Sequence, residues 1–236
     1  DIVSKGRYYF LSRPRRFGKS LLISTLQAYY EGKRDLFQGL AIEQLEQEWR
    51  VHPVLRLDLN TEKYDSIDSV NRKLDREFKI WEEIYGADEA EVTLPMRFEG
   101  IIRRAYKKTG ERVVILIDEY DKPLLQAISN KPLQNEYRAT LKAVYGALKS
   151  MDGCIKFALL TGVTKFGKVS VFSDLNHLRD ISMLEQYTEI CGISEKELHS
   201  YFRNEITEMA ELHQTSYDDM TDMLRQNYDG YHFAPN

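Results

Sequence analysis

The sequence predicts an α/β fold, in which helices pack on both faces of a parallel β-sheet. Short apolar runs that resemble strands alternate with longer segments in which apolar residues repeat every three or four positions. The run at 112–117 is apolar from its second residue onward, which is typical of a central strand buried on both faces. With 236 residues, 42% of them hydrophobic, the chain can form one large domain or a domain with a small appendage.

The predicted strands and helices follow one another in a regular order. Four apolar runs are predicted as strands, at 8–11, 54–59, 112–117 and 155–160. Helices are predicted from near Gly18, with Leu22, Leu26 and Tyr29 on the apolar face, and over 67–85, 94–105 and 133–148. The stretch 162–179 lacks regular periodicity and is predicted to be a loop. We expect a parallel sheet of five strands, of which these runs account for four.

After about residue 192 the pattern becomes purely helical. Ser194 and Glu197 have the spacing of a capping box, and apolar residues at helical spacing predict one helix through 209 and a second over 217–228. This part is acidic, with nine carboxylates against three basic residues over 195–229. We therefore predict an α/β core at 1–191 and a truncated helical lid at 192–236, and we expect the chain to be part of a longer protein.

Several classes of protein are excluded by what the sequence lacks. No apolar stretch approaches the ~18 residues that a membrane-spanning helix needs. Cys154 and Cys191 lie far apart and have no nearby set of metal ligands, which argues against a disulfide framework and a structural zinc. A cytoplasmic protein without a membrane partner is the expectation.

The first thirty residues carry an unusual concentration of positive charge. Six basic residues and no acidic residue lie between positions 2 and 30, which indicates a nearby anion. The loop after the first strand ends in Gly18-Lys19-Ser20, the second half of the phosphate-binding pattern G-x-x-x-x-G-K-[ST], and Arg13 stands where that pattern begins with glycine. Gly18 permits a tight turn at a helix N-terminus, Lys19 would bind phosphate and Ser20 would bind Mg²⁺. The alternative is an ordinary helix start with a solvated lysine.

A second polar segment follows the most hydrophobic strand. Asp118 and Glu119 come directly after the apolar run 113–117, in the form of a Walker B segment. A carboxylate at the end of a parallel strand lies at the edge where ligands bind in such sheets. Asp118 is predicted to hold Mg²⁺ and Glu119 to act as general base, with Asp121 as the next candidate for the base. The alternative is a buried strand with a polar end.

Polar residues also follow the last predicted strand. Thr161, and less strongly Thr164, stand where additional-strand P-loop ATPases carry a polar side chain that senses the γ-phosphate. Arg179 could face a phosphate or pair with a neighbouring acid.

Four segments together carry a family resemblance. They read YYFLSRPRRFGKS at 8–20, LIDEYD at 116–121, LTGVTKF at 160–166 and YDGY at 228–231. Over essentially the whole chain they resemble the bacterial AAA-ATPase-like family, related to the archaeal and STAND branches of the AAA+ ATPases. The arginine-rich loop is distinctive of that family, so the residue at Arg13 agrees with the family pattern. The resemblance implies a preference for ATP and a following nuclease-like domain of the PD-(D/E)XK type, through which nucleic acid could become a partner.

These observations predict a P-loop NTPase of the AAA+-like class that uses ATP and Mg²⁺. The predicted nucleotide-binding residues are Arg15, Arg16, Phe17, Gly18, Lys19, Ser20 and Leu21; the metal ligands are Ser20 and Asp118; and the catalytic residues are Lys19, Glu119 and Thr161. We expect slow ATP hydrolysis that drives or switches a C-terminal domain. A switch that binds nucleotide without hydrolysis and a nucleic-acid-processing module stay open as alternatives. Arg13, Arg15 and Arg16 are expected to contact phosphate, an acidic surface of the chain or a nucleic-acid backbone.

Overall fold

The computed structural model describes residues 2–164, 171–172, 175, 177–228, 231 and 233. Contacts divide the chain into two compact units, Asp1–Ile181 and Ser182–Asn236. The division of the chain into a nucleotide-binding core and a lid at residue 191 stays a prediction. The family-like segments at 160–166 and 228–231, and the loop predicted over 162–179, lie partly outside the described residues.

The first unit contains a five-stranded parallel sheet. Its strands are β1 (Tyr8–Ser12), β2 (Val54–Asp58), β3 (Val113–Asp118), β4 (Ile155–Gly162) and β5 (Arg179–Asp180), in the order β2-β3-β4-β1-β5. Every residue of β3 is buried, as expected for a strand that is covered on both faces. The predicted fold class, a parallel sheet flanked by helices, is therefore confirmed.

Helices connect the strands of the sheet. They are α1 (Lys19–Tyr30), α2 (Ala41–Leu45), α3 (Ser69–Tyr85), α4 (Leu94–Thr109), α5 (Lys122–Gln126), α6 (Lys131–Tyr145) and α7 (Ala147–Ser150), with short 3₁₀ turns at Arg34–Phe37 and Asp152–Cys154. The Thr93 side chain caps α4 by accepting a hydrogen bond from the amide of Met96, and the Asn130 side chain caps α6 in the same way. Gly110, at φ 72°, ends α4 in the left-handed conformation that glycine adopts without strain.

The core lies between the sheet and these helices. Helices α3 and α4 pack through stacked aromatic rings, with the ring centroids of Phe78 and Phe98 5.2 Å apart. Beside these rings the Arg97 guanidinium bridges two acids of α3, at 2.6 Å from an Asp75 oxygen and 2.7 Å from a Glu82 oxygen. This apolar packing with an ion-paired rim holds the two helices together.

The structure corrects the sequence prediction at three places in this unit. Strand β4 continues through Thr161 to Gly162, two residues beyond its predicted end, because Leu11 and Ser12 of β1 pair with those residues. Strand β5 falls at the end of the predicted loop; a two-residue edge strand has too few residues for a periodic pattern. Leu26 lies on the buried face of α1 as predicted, but Ile23 and Tyr30 are buried there in place of the predicted Leu22 and Tyr29, one position away.

The second unit is helical in its described part. It contains a 3₁₀ turn (Glu185–Tyr187), α8 (Glu195–Tyr201), α9 (Arg203–Leu212) and α10 (Tyr217–Tyr228). Ser194 and Glu197 form the predicted capping box at the start of α8. The helix predicted to run through 209 is interrupted at Phe202, so α8 and α9 are separate. Ile206, Ala210 and Met220 form the small core between α9 and α10.

Two of the sequence predictions concern membrane-spanning helices and the cysteines, and both can be compared with the described residues. No helix there is long and apolar enough to cross a membrane. Neither Cys154 nor Cys191 forms a disulfide within the described part of the chain.

Candidate functional site

The predicted site residues converge at the edge of the sheet where the strands end, called here the carboxyl edge. Because all five strands are parallel, their carboxyl ends lie along one side of the sheet. Ser12 at the end of β1 pairs with Gly162 at the end of β4, and Ile117 of β3 pairs with Leu160 of β4. The segments that follow β1, β3 and β4 are therefore neighbours, although they are far apart in sequence.

Residues 13–18, called here the basic loop, connect β1 to α1. The backbone turns sharply through two left-handed residues, Arg16 at φ 69° and Gly18 at φ 89°. Gly18 accommodates this conformation freely, whereas a residue with a Cβ atom such as Arg16 is strained there by roughly 1–2 kcal/mol. Such strain persists only where the surrounding structure holds it, and it is common at ligand-binding sites.

The three arginines of the basic loop have different environments. Arg13 is 1% exposed; its amide donates to the carbonyl of Gly162 at 3.1 Å and its guanidinium donates to the carbonyl of Ser12 at 3.0 Å. Arg15 and Arg16 are exposed to solvent. Arg13 therefore anchors the loop to the sheet, and only Arg15 and Arg16 present their charge to the outside.

The remaining predicted nucleotide-binding residues lie around the start of α1. Phe17 is half-buried, Ser20 is exposed and Leu21 is 70% exposed. Ser20 stands in the first turn of the helix, directly after Lys19. The helix N-terminus supplies unpaired N–H groups and a partial positive charge at this point.

Lys19 is buried and connects the basic loop to the end of β3. Its ammonium, 4% exposed, donates to the carbonyls of Arg13 and Pro14, each at 3.0 Å. It also lies 3.2 Å from an Oε1 oxygen of Glu119. An ammonium group has three donors, and here each of them faces an oxygen atom. Lys19 is therefore held inside the protein by the basic loop and by Glu119. The sequence predicted that these groups act on the same ligand.

Residues 118–121, called here the acidic turn, follow β3. Asp118 is 1% exposed and accepts a hydrogen bond of 2.6 Å from the hydroxyl of Thr161. Glu119 adopts φ 56°, a second strained left-handed residue at this edge. Burial raises the pKa of the Glu119 carboxyl, while the charge and hydrogen bond of Lys19 act in the opposite direction.

Asp121 is fully buried and uses both carboxylate oxygens in hydrogen bonds to the segment after β4. One oxygen accepts from the amide of Val163 at 3.3 Å; the other accepts from the amide and the hydroxyl of Thr164, each at 2.8 Å. Asp121 begins α5 as its N-cap residue, but its side chain makes no capping hydrogen bond to that helix. Its prediction as the alternative general base has no support in this geometry, because both oxygens are engaged away from solvent.

Gly162 permits the close approach of the acidic turn to β4. A Cβ atom at this position would lie 2.6 Å from the ring of Tyr120 and 2.8 Å from Oδ1 of Asp121, well inside contact distance. Tyr120 also donates from its amide to the carbonyl of Thr161 at 2.9 Å and from its hydroxyl to the carbonyl of Thr164 at 3.1 Å. Glycine is therefore required at the end of β4.

Arg179 lies at the opposite side of the sheet. It pairs with Tyr9, three residues before the end of β1, and lines a cleft of about 540 Å³ together with Arg7, Lys149 and Asp152. We call this side, where the strands begin, the amino edge. At about 3.3 Å per strand residue, Arg179 is set back by roughly 10 Å from the carboxyl edge. This position favours a neighbouring acid over a phosphate as its partner.

The donor set at the carboxyl edge suits magnesium. No group of three or more acidic, histidine or cysteine side chains in the described part of the chain could hold a metal ion by itself. Mg²⁺ in nucleotide sites commonly takes one or two protein oxygens and completes its shell with phosphates and water. Ser20 and Asp118 would supply oxygens of this kind, and the contact between their sequence neighbours Lys19 and Glu119 brings the two segments together.

Two features of this site were missed by the sequence prediction. The anchoring role of Arg13 could not be read from a loop that carries three arginines, since only the fold shows which one points inward. The pairing of Asp121 with residues 163 and 164 had no direct signal in the sequence. An aspartate directly before Lys122-Pro123 is typical of a helix N-cap. That signal indicates a cap, whereas the carboxylate turns to the residues that follow β4.

The parallel sheet and the glycine-lysine-serine helix start together define a P-loop NTPase-like α/β protein. Within this class, the chain belongs to the AAA-ATPase-like family, whose model is described as a predicted AAA-ATPase and matches residues 1–172. It is also 36% identical over 234 residues to a protein of Azotobacter chroococcum mcd 1 described as "Uncharacterized protein in vnfD 5'region". That alignment covers 99% of this chain and 43% of the relative, so the chain spans less than half the relative's length. No solved structure matches the chain.

Proposed function

We propose that the chain binds Mg-ATP at the carboxyl edge and hydrolyses it slowly. The observation that carries the proposal is the largely buried ion pair between Lys19 and Glu119. The phosphate-binding residue and the general base were predicted from separate parts of the chain. In the folded protein their side chains are 3.2 Å apart, close enough to share one ligand. A buried charge pair of this kind is costly to desolvate, and a functional role accounts for its presence.

Phosphate binding requires Lys19 to exchange one set of oxygens for another. Its present acceptors are two neutral carbonyls and one carboxylate. A phosphate offers oxygens with a higher charge, and the N-terminus of the twelve-residue helix α1 adds amide donors and a favourable dipole. When Lys19 turns to the phosphate, Glu119 loses its partner and becomes available to take a proton from water. This exchange links nucleotide binding to the freeing of the base.

Each further residue has a defined task in this proposal. Ser20 and Asp118 would hold Mg²⁺, which when bound neutralises phosphate charge. The hydroxyl of Thr161 fixes the orientation of the Asp118 carboxylate. Burial raises the pKa of Glu119, and a more basic carboxylate accepts a proton more readily.

Two other functions have specific support. The pairing of Lys19 with Glu119 competes with phosphate for the ammonium, which favours slow turnover and, in the limit, a switch that binds ATP without hydrolysing it. The exposed Arg15 and Arg16 are compatible with nucleic acid, since they present two charges at the surface. The relative is more than twice as long as the aligned region. A C-terminal domain that ATP would drive or switch belongs to the same proposal.

The experiment is a titration of the purified chain with fluorescent ATP in the presence and absence of Mg²⁺, followed by steady-state phosphate release. We expect saturable binding that Mg²⁺ strengthens, with slow release of phosphate. Binding without release would select the switch, and release stimulated by DNA or RNA would select the processing module. Absence of binding in both conditions would contradict the proposed function.

A further inference from the structure

Glu119 has a strained backbone between two segments that are both fixed. Before it, Asp118 is the last residue of the buried strand β3. After it, the ring of Tyr120 packs against Gly162, and the Asp121 carboxylate holds residues 163 and 164. A glutamate at φ 56° is unfavourable by itself and persists only when its surroundings impose the conformation. Because the chain is held on both sides, residue 119 has little freedom to relax.

We propose that Asp121, through its hydrogen bonds to Val163 and Thr164, is the positioning residue that holds Glu119 in its left-handed conformation and so orients the Glu119 carboxylate. These three hydrogen bonds are called here the Asp121 clamp. The catalytic part of the inference rests on the proposed function, whereas the structural part concerns only the backbone of this chain.

The geometry supports the clamp in two independent ways. The carboxylate is fully buried and accepts three donors, two of them amides, so it holds the backbone after β4 as well as one side chain. A buried side chain that accepts several hydrogen bonds is expensive to remove, because its loss leaves those donors unpaired. In addition, the backbone between Glu119 and Lys122 closes a turn by a hydrogen bond of 3.0 Å from the Lys122 amide to the Glu119 carbonyl. A shift at Asp121 would therefore reach residue 119 directly.

The structural test compares glycine with alanine at position 119. In the parent chain, Glu119→Gly should melt about 2–4 °C above Glu119→Ala, since glycine adopts a positive φ without strain. In an Asp121→Asn background, where an amide replaces one acceptor oxygen by a donor, the advantage of glycine should disappear, because residue 119 can relax. Asp152→Asn serves as the control; it removes an ion-pair partner at the amino edge and should leave the advantage unchanged.

A second pair of variants covers the case in which Asp121→Asn fails to fold. Thr164→Val removes one hydroxyl donor of the clamp, and Thr164→Ser retains it. The melting advantage of glycine over alanine should shrink in the valine background and return in the serine background. The inference would be overturned if glycine raised the melting temperature over alanine equally in the valine and serine backgrounds. It would also be overturned if glycine gave no higher melting temperature than alanine in the parent chain. An undiminished advantage in a folded Asp121→Asn protein would do the same.

The catalytic part is tested with Glu119 intact. Asp121→Asn should lower kcat by about 10- to 100-fold and leave KM for ATP within about threefold, as expected when a reacting group is misplaced and binding is retained. A normal kcat in this variant would overturn the positioning role. If the parent chain itself releases no phosphate, the proposed function fails, and the melting comparison still decides whether the clamp holds residue 119.

Discussion

The two edges of the sheet carry charged residues in very different environments. At the carboxyl edge, Lys19 and Asp118 are 4% and 1% exposed, and the backbone of Glu119 is left-handed. At the amino edge, Arg7 and Asp152 form an ion pair whose side chains are 37% and 52% exposed. Their contact resembles an ordinary surface ion pair, with the hydroxyl of Tyr8 donating to Asp152 at 2.7 Å.

This difference distinguishes two kinds of charged residue: those that stabilise the fold, and those that are buried at a cost in free energy because they serve the function of the protein. A partly exposed pair gains little from its contact and loses little when it is removed. Buried charges and left-handed residues with side chains cost free energy, so their concentration at one edge indicates function. Mutations at the carboxyl edge should therefore change ligand binding and chemistry, and mutations at the amino edge should change only stability.

The largest effect is expected from Lys19→Ala. The substitution removes the ammonium that would contact phosphate, so affinity for Mg-ATP should fall by about 100-fold or more. Fluorescent-ATP titration measures the loss, and circular dichroism checks that the fold is retained. Lys33→Ala is the matched control, since Lys33 is exposed and pairs only locally with Glu31. An affinity within about twofold of the parent would show that Lys19 does not bind phosphate.

Glu119→Gln should separate binding from chemistry. Glutamine preserves the shape of the side chain but cannot accept a proton, so turnover should fall by roughly 100-fold while ATP still binds. Stability at pH 7 should be unchanged or higher: burial raises the pKa of Glu119, so its ionised form is less favourable in the folded than in the unfolded chain. Single-turnover phosphate release and thermal melting measure the two effects. Undiminished turnover would assign the base to another residue.

A smaller effect is expected from the double variant Arg15→Gln, Arg16→Gln. Both side chains are exposed, so water and salt screen their charge, and affinity for ATP should fall only about 3- to 10-fold. Lys107→Gln, Lys108→Gln removes the same charge from an exposed turn of α4 and serves as the control.

The same double variant also tests the nucleic-acid alternative. If the double variant loses salt-sensitive binding to a polynucleotide and keeps normal affinity for ATP, the result would support a nucleic-acid contact. If neither ligand is affected, these two arginines have no role in binding and form a solvated surface.

The smallest effect is expected from Asp152→Asn at the amino edge. The hydrogen bond from Tyr8 and the charge of Arg7 lower the pKa of Asp152. A lowered pKa in the folded state means that the stabilisation is complete above the unfolded value of about 3.9 and is lost as the pH falls through the folded pKa. Because the pair is partly exposed, the substitution should cost only about 0.2–1 kcal/mol at pH 7. Urea midpoints of the variant and the parent at pH 7 and pH 3 measure the loss of stability. ATP affinity should be unchanged. A stability difference that is larger at pH 3 than at pH 7 would contradict the lowered pKa of Asp152.

Much of the fold could be predicted because it depends on local pattern. Apolar runs predicted β1 to β4, and the spacing of Ser194 and Glu197 predicted the cap of α8. These signals are strong because residues close together in the sequence carry them. The two-residue strand β5 had no such signal, since its place in the sheet depends on pairing with β1.

The sequence by itself determined which chemical groups the protein carries at its strand ends: the glycine-lysine-serine helix start, the two acids after β3 and the threonine in β4. Only the tertiary structure decided how they are used. It buries Arg13 while Arg15 and Arg16 stay exposed, places Lys19 against Glu119, and turns Asp121 to residues 163 and 164. The physical reason is that burial and pairing between distant segments depend on sheet order and strand register, which belong to the whole fold.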